Sequence, residues 1–318
     1  MRMSLRIDRR FLTLAILYAA SALGQQPASP LAAERALLAD GKLADAEAAL
    51  HSYLNVAPSS AEAHFLLGYV LFRDHKAKES LAEFTAGAKF QRPTAADLKI
   101  VASDYVMLGD YADADKWFSE VVTESPNDAD AWYLLGRTKY NENEFVEAVS
   151  SFERALTLHP KYVEAENNLG LSWRELNDFN KAQVAFETAI DWQGASPTDA
   201  QPFLNLGTLL ADRKDLDKAM PYLAKADALS PGNPKIHEEL SDVYAAQKNL
   251  PKAQGELEQA IALAPNTSAL HFKLGRILRE EGLRDRALQE FDICTKLSSS
   301  HSSSETPNLL TPPPPSLR

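Results

Sequence analysis

The side chains with which this sequence could do covalent chemistry are few and scattered. Seven histidines and one cysteine, Cys294, occur in 318 residues. His51, His75, His159 and His301 are isolated, and there is no HExxH zinc pair, no GxSxG nucleophile turn and no glycine loop for a phosphate. Glu238 and Glu239 are adjacent carboxylates on what reads as a solvated helix face. Asn266-Thr267-Ser268 fits a glycosylation acceptor but also sits where a helix cap is needed. The expectation is therefore no enzyme, no metal and no cofactor. What remains is hydrogen-bonding chemistry. In AENNLGLSW, residues 165–173, Asn167 and Asn168 stand side by side in an amphipathic helical pattern, although asparagine competes with the helix for backbone hydrogen bonds. A primary amide is both donor and acceptor, which suits the backbone of an extended peptide whatever its side chains.

The elements that must position these amides follow from an internal period of 34 residues, with frames starting at 27, 61, 95, 129, 163, 200, 234 and 268. The eighth position is small in seven frames: Gly68, Ala102, Gly136, Gly170, Gly207, Ser241 and Gly275. The twentieth is Ala or Ser in all eight, from Ala46 and Ser80 to Ala253 and Ala287. The twenty-fourth is large and apolar, as Leu50, Phe84, Phe118, Phe152, Phe186, Leu223, Leu257 and Phe291. A proline closes most frames: Pro58, Pro93, Pro126, Pro160, Pro231 and Pro265. Small residues let two helices approach, a bulky one fills the space they leave, and proline stops the second helix. Ser60, Asp128, Asp199 and Ser268 are placed to cap the next first helix, and Asn233-Pro234 matches the favoured cap order. Three extra residues in DWQGASPTD lengthen one connection. The first frame has Pro30 and Glu34 at packing positions, so its first helix is expected to begin late, near Pro30.

This pattern resembles the tetratricopeptide repeat over residues 27–301. The resemblance implies an all-α fold, an α-solenoid in which antiparallel helix pairs stack into a right-handed superhelix because neither helix can bury its apolar stripe alone. At about 100° per residue, positions 4, 7, 8 and 11 of a frame share the packing side, and positions 2, 5, 6, 9, 12 and 13 lie opposite. Asn167 and Asn168 therefore point away from the core, toward what in the family is a concave groove that holds extended peptides. Asn205 occupies the same position as Asn168 one frame later, and the pair resembles the asparagine ladder in the repeat region of O-linked N-acetylglucosamine transferases. The chain has no room for that family's catalytic domain, so only the peptide-holding role carries over, to Asn168 and Asn205. The same geometry places Tyr133, Arg137, Tyr140, Arg174 and Thr208 beside them, with Phe65, Tyr69, Lys99 and Ser103 further toward the N-terminus. Tyr and Arg are the residue types that anchor ligands on such faces. A carboxylate clamp of the chaperone-binding kind is not supported, since Tyr133, Arg137, Asn168, Gln201 and Asn205 match it at one position in five.

His64, His237 and His271 all fall at position 4, where packing accounts for them, and Cys294 at position 27 reads as a buried, inert thiol. Glu238, Glu239 and Asp242 face Lys273, Arg276 and Arg279 of the next frame, which predicts pairing across the stack ahead of a role in setting the direction of a bound peptide. Residues 1–24 read as a secretory signal peptide, with Arg2, Arg6, Arg9 and Arg10 before the apolar run FLTLAILYAA and cleavage near Ala22 or Gly24. The run is about half the length a spanning helix needs, the twin-arginine spacing is wrong, and no lipid-attachment cysteine follows. Sec export to the periplasm or outside is the expectation. Removing this segment, of net charge +3, takes the chain from −11 to −14, which disfavours nucleic acid or anionic membrane as partners. Residues 302–318, rich in Ser and Pro, are expected to be a disordered tail, with the C-terminal edge either open to self-association or covered by Leu309 and Leu310 folding back. The reading is a scaffold binding a protein or peptide in its groove. The alternative is a docking factor of a bacterial envelope machine, for polysaccharide export, pilus or outer-membrane assembly, working through convex faces and ends.

Overall fold

A computed structural model describes residues 30–301 of the chain. The signal peptide expected over 1–24 and the tail expected over 302–318 lie outside the described residues. Within them the secondary structure is helical and no strand occurs. Sixteen helices run in order: α1 (Ala32–Ala39), α2 (Leu43–Val56), α3 (Ala61–Arg73), α4 (Ala77–Ala88), α5 (Ala95–Met107), α6 (Tyr111–Glu124), α7 (Ala129–Asn141), α8 (Phe145–Leu158), α9 (Val163–Glu175), α10 (Phe179–Gln193), α11 (Gln201–Asp212), α12 (Leu216–Leu229), α13 (Pro234–Ala246), α14 (Leu250–Leu263), α15 (Ser268–Glu280) and α16 (Arg284–His301). They divide into two compact units at Leu108/Gly109, inside the third repeat. α1 to α5 belong to the first unit and α6 to α16 to the second.

Close approach of paired helices explains the small and large positions. At Gly170 an added Cβ would lie 2.6 Å from Phe186 Cε1, and at Gly136 2.7 Å from Phe152 Cε1. In these pairs the position-24 side chain thus lies flat on the position-8 backbone, and Phe152, Phe186 and Leu223 have no exposed surface. Each such ring or isobutyl group contributes roughly 1.5–3 kcal/mol by burial. In the second unit the first helices of successive repeats also touch, so α7, α9, α11 and α13 form a continuous inner layer.

The turn inside each pair has one backbone solution. Position 15 is left-handed in all eight frames: Gly41, His75, Gly109, Asn143, Asn177, Lys214, Lys248 and Gly282 have φ between 59° and 82°. The next amide then reaches back five residues, as Lys76 N does to Leu71 O (2.9 Å) and Asp178 N to Trp173 O (2.9 Å), the hydrogen bond of a Schellman cap. Ser60, Asp128 and Asn233 cap helices as their types predict, accepting from Ala63 N, Ala131 N and Lys235 N. Ser268 does not: it is the first helical residue, after Thr267, whose side chain makes no cap bond. In the lengthened connection Gln193 does the holding, its Oε1 accepting from Thr198 N and Asp199 N (3.1 and 2.9 Å). Cys294 is half-exposed rather than buried, because among the described residues no helix stacks beyond α16.

Candidate functional site

Position 6 of a first helix sits in the seam between that helix and its neighbour in the inner layer, which overturns one expectation. Asn167 and Asn168 are not solvated groove residues: they are 6% and 7% exposed. The 100° rule places them opposite their own partner helix, and the first helices on either side then close over them. Asn168 Nδ2 donates to Tyr133 Oη on α7 (3.2 Å), and Asn205 Nδ2 on α11 donates to Asn167 Oδ1 (2.8 Å). α9 is thereby stitched to both neighbours, and the rungs are Tyr133–Asn168 and Asn167–Asn205 rather than Asn168–Asn205.

The stitching uses only part of each amide. Among the described residues Asn167 Nδ2, Asn168 Oδ1 and Asn205 Oδ1 have no hydrogen-bond partner, and none is fully sealed from solvent. Among the described residues the sealed, unpartnered side-chain atoms are Asp104 Oδ1, Glu142 Oε2, Asp227 Oδ1 and Glu281 Oε2. One donor edge and two acceptor edges of this mostly buried cluster are therefore left without a partner among the described residues.

Around the amides lie the expected anchors, in a different state from that predicted. Tyr133 and Arg137 are buried, each 6% exposed, with the guanidinium carbon 5.7 Å from the phenol ring centroid. The Tyr133 ring also packs 4.9 Å from Tyr162, and burial pushes its hydroxyl pKa up against the opposing charge of Arg137. Tyr140 is half-buried and donates to Glu175 Oε1 (3.4 Å), which also pairs with Arg174 Nη2 (3.2 Å). Asn205 and Thr208 are half-buried on α11. Tyr69, Lys99, Phe65 and Ser103 belong to the first unit. There Phe65 is core, stacked 5.9 Å from Phe84, Tyr69 accepts from Arg73 Nη1 at 3.5 Å, Lys99 is half-buried and Ser103 Oγ donates to Lys99 O (2.7 Å).

Of the opposed charges of the last two frames, Lys273 alone pairs across the stack as expected. Lys273 bridges Glu238 and Asp242, and Lys235 bridges Glu238 and Glu239. Burial pushes Glu238 up, but the two lysines outweigh it and hold its carboxyl below the usual range. Arg276 and Arg279 stay exposed, Arg279 lying 5.8 Å over the Phe291 ring.

Sequence reasoning missed what the position-4 histidines do. His64, His237 and His271 each set Nδ1 on a glutamate of the second helix, Glu83, Glu256 and Glu290 (2.6, 2.9 and 2.7 Å). Each sets Nε2 on the carbonyl of the proline before its repeat, Pro58, Pro231 and Pro265 (3.1, 3.2 and 2.9 Å). Trp132 makes the same carbonyl contact through Nε1 to Pro126 O (3.0 Å). The glutamate lies 19 residues after the histidine in all three frames, a signal that was legible.

Comparison with known proteins agrees with this architecture. Tetratricopeptide-repeat profiles match residues 31–96, 102–163, 167–234 and 210–277. The chain is 26% identical over 155 residues to the protein O-mannosyl-transferase TMTC1 of Mus musculus, covering 47% of this chain and 16% of that protein. It is 27% identical over 112 residues to the peroxisomal targeting signal receptor of Candida albicans, covering 35% and 19%. The match thus spans less than a fifth of either relative. Among solved structures, a tetratricopeptide repeat protein from Parabacteroides merdae superposes with a TM-score of 0.64 at 18% identity, over 78% of this chain and 97% of that one. The APC/C hetero-tetramer Cut9-Hcn1 gives 0.62 at 18% identity, over 91% and 57%. With profiles matching well over half its length and helix pairs packed glycine against aromatic, the chain belongs to the tetratricopeptide repeat family.

Proposed function

We propose that this chain is a non-catalytic interaction scaffold that holds an extended peptide segment of a partner protein along the inner layer of the second unit. The observation that carries the reading is the asparagine cluster, whose Asn167 Nδ2, Asn168 Oδ1 and Asn205 Oδ1 stay unpartnered and unsealed between packed helices. A polar seam half satisfied within the fold is complete when a ligand backbone supplies N–H groups to the two oxygens and a carbonyl to the amide nitrogen. Thr208 and the Arg174–Glu175–Tyr140 cluster flank it and would select side chains. The arginine-rich leader followed by an apolar run supports export, so the partner would be an exported or envelope protein.

The test is a peptide selected from a displayed random library against the wild type, then titrated calorimetrically into the wild type and into Asn168→Ala plus Asn205→Ala. Loss of two hydrogen bonds of about 1 kcal/mol each predicts roughly 10- to 100-fold weaker binding with the helical circular dichroism unchanged. Equal affinity would contradict the reading. A second reading, docking through the outer faces, has its own observation: Val146 and Val184 on the second helices α8 and α10 are 60% and 61% exposed.

A further inference from the structure

His237 stands out from the other position-4 histidines in being surrounded by acceptors on three sides. Its Nε2 faces the Pro231 carbonyl at 3.2 Å and Asp227 Oδ1 at 3.6 Å, and its Nδ1 faces Glu256 Oε2 at 2.9 Å. A carbonyl only accepts, so Nε2 must carry hydrogen. A neutral ring would then point its Nδ1 lone pair at a carboxyl oxygen 2.9 Å away, so the contact needs a hydrogen between them, and with Glu256 ionised the ring is the imidazolium. His237 is 4% exposed. Asp227 comes from α12, Pro231 from the following turn and Glu256 from α14, so one proton joins the sixth repeat to both helices of the seventh. Neither carboxylate has another ion-pair partner among the described residues, and Asp227 Oδ1 is a sealed atom that makes no hydrogen bond.

We propose that His237 is a proton-operated clasp between the sixth and seventh repeats, closed when the ring is charged and loosened when it is neutral. Loss of the proton leaves two carboxylates and a carbonyl around a buried ring with a single N–H, and one of the oxygens, Asp227 Oδ1, is sealed from water. His64 and His271 repeat the glutamate and carbonyl contacts but have no second carboxylate at the place of Asp227, where the preceding frames carry Leu54 and Ile261. Burial alone pulls the His237 pKa down, but the Glu256 and Pro231 hydrogen bonds and the charges of Asp227 and Glu256 outweigh it and leave it raised. A raised histidine stabilises the fold fully below the unfolded value of 6.5 and loses that contribution as pH rises through the folded value. The repeats beyond Pro231 therefore loosen on the alkaline side.

The experiment is an NMR titration of the histidine Cε1–H signals in the wild-type chain, assigned with His237→Phe, together with hydrogen exchange of residues 234–263 between pH 6 and 8.5. Phe203 fills the same position in the preceding frame, so phenylalanine is a tolerated occupant. Expected are a His237 midpoint above 6.5 and, after correction for intrinsic exchange, local opening that rises about tenfold per unit of raised pKa in the wild type and stays flat in the variant. A midpoint at or below 6.5, or equal opening in both chains, would overturn the proposal. The titration needs only the wild type, so it stands even if the variant packs poorly.

Discussion

Single residues carry strain and protons that a repeat consensus hides. Lys214 and Lys248 sit at φ 65° and 63°, where a Cβ costs roughly 1 kcal/mol and glycine costs nothing. Three other frames use glycine at that position. Lys214→Gly and Lys248→Gly are expected to raise the melting temperature by a few degrees, read by circular dichroism, whereas Gly282→Ala should lower it. Asp104 is the buried carboxylate of the first unit. Ser80 Oγ has one hydrogen and two acceptors in reach, Gly68 O (2.8 Å) and Asp104 Oδ2 (2.6 Å), while Asp104 Oδ1 has no partner. Burial pushes its carboxyl up to about 7 against the opposing Ser80 bond. An acid raised from 3.8 favours folding fully below that pH and loses the benefit as pH rises through about 7. Asp104→Asn should therefore slow hydrogen exchange in 95–107 at pH 8, by a contribution on the order of 2–4 kcal/mol, and give no gain at pH 4.

At the scale of helices, the 8/20/24 pattern was legible because it records a contact that admits only small residues against a large apolar one. Gly170→Ala would drive a methyl to 2.6 Å from the Phe186 ring, so a loss of about 1–3 kcal/mol is expected in chemical denaturation. Gly255, with nothing within 4 Å of a Cβ, should accept alanine without loss. Helix starts were legible for a related reason, since caps and prolines act locally. What escaped was the burial of residues that other helices cover and the contacts those helices make. Asn167 and Asn168 lie opposite their own partner helix, as the 100° rule states, but burial is decided by α7 and α11, whose approach no single-helix wheel contains. Tyr133 and Arg137 were misplaced for the same reason. The position-4 histidines read as packing because their glutamates lie in another helix, and the left-handed position 15 escaped because Lys and His disguise what Gly41, Gly109 and Gly282 announce.

For the whole molecule, family membership leaves the partner open and narrows the place to look. The chain offers two kinds of surface: an inner layer of first helices with the unpartnered amide edges, and outer second helices with exposed Val146 and Val184. The proposed recognition surface is the inner layer of the second unit. The most direct measurement is site-specific photocrosslinking of the selected peptide, with a benzophenone amino acid at Thr208 on the inner layer or at Val184 on the outer one. Crosslinking from Thr208, competed by unlabelled peptide, with none from Val184, is the predicted result. Crosslinking from Val184 and not from Thr208 would contradict the account and move recognition to the outer helices.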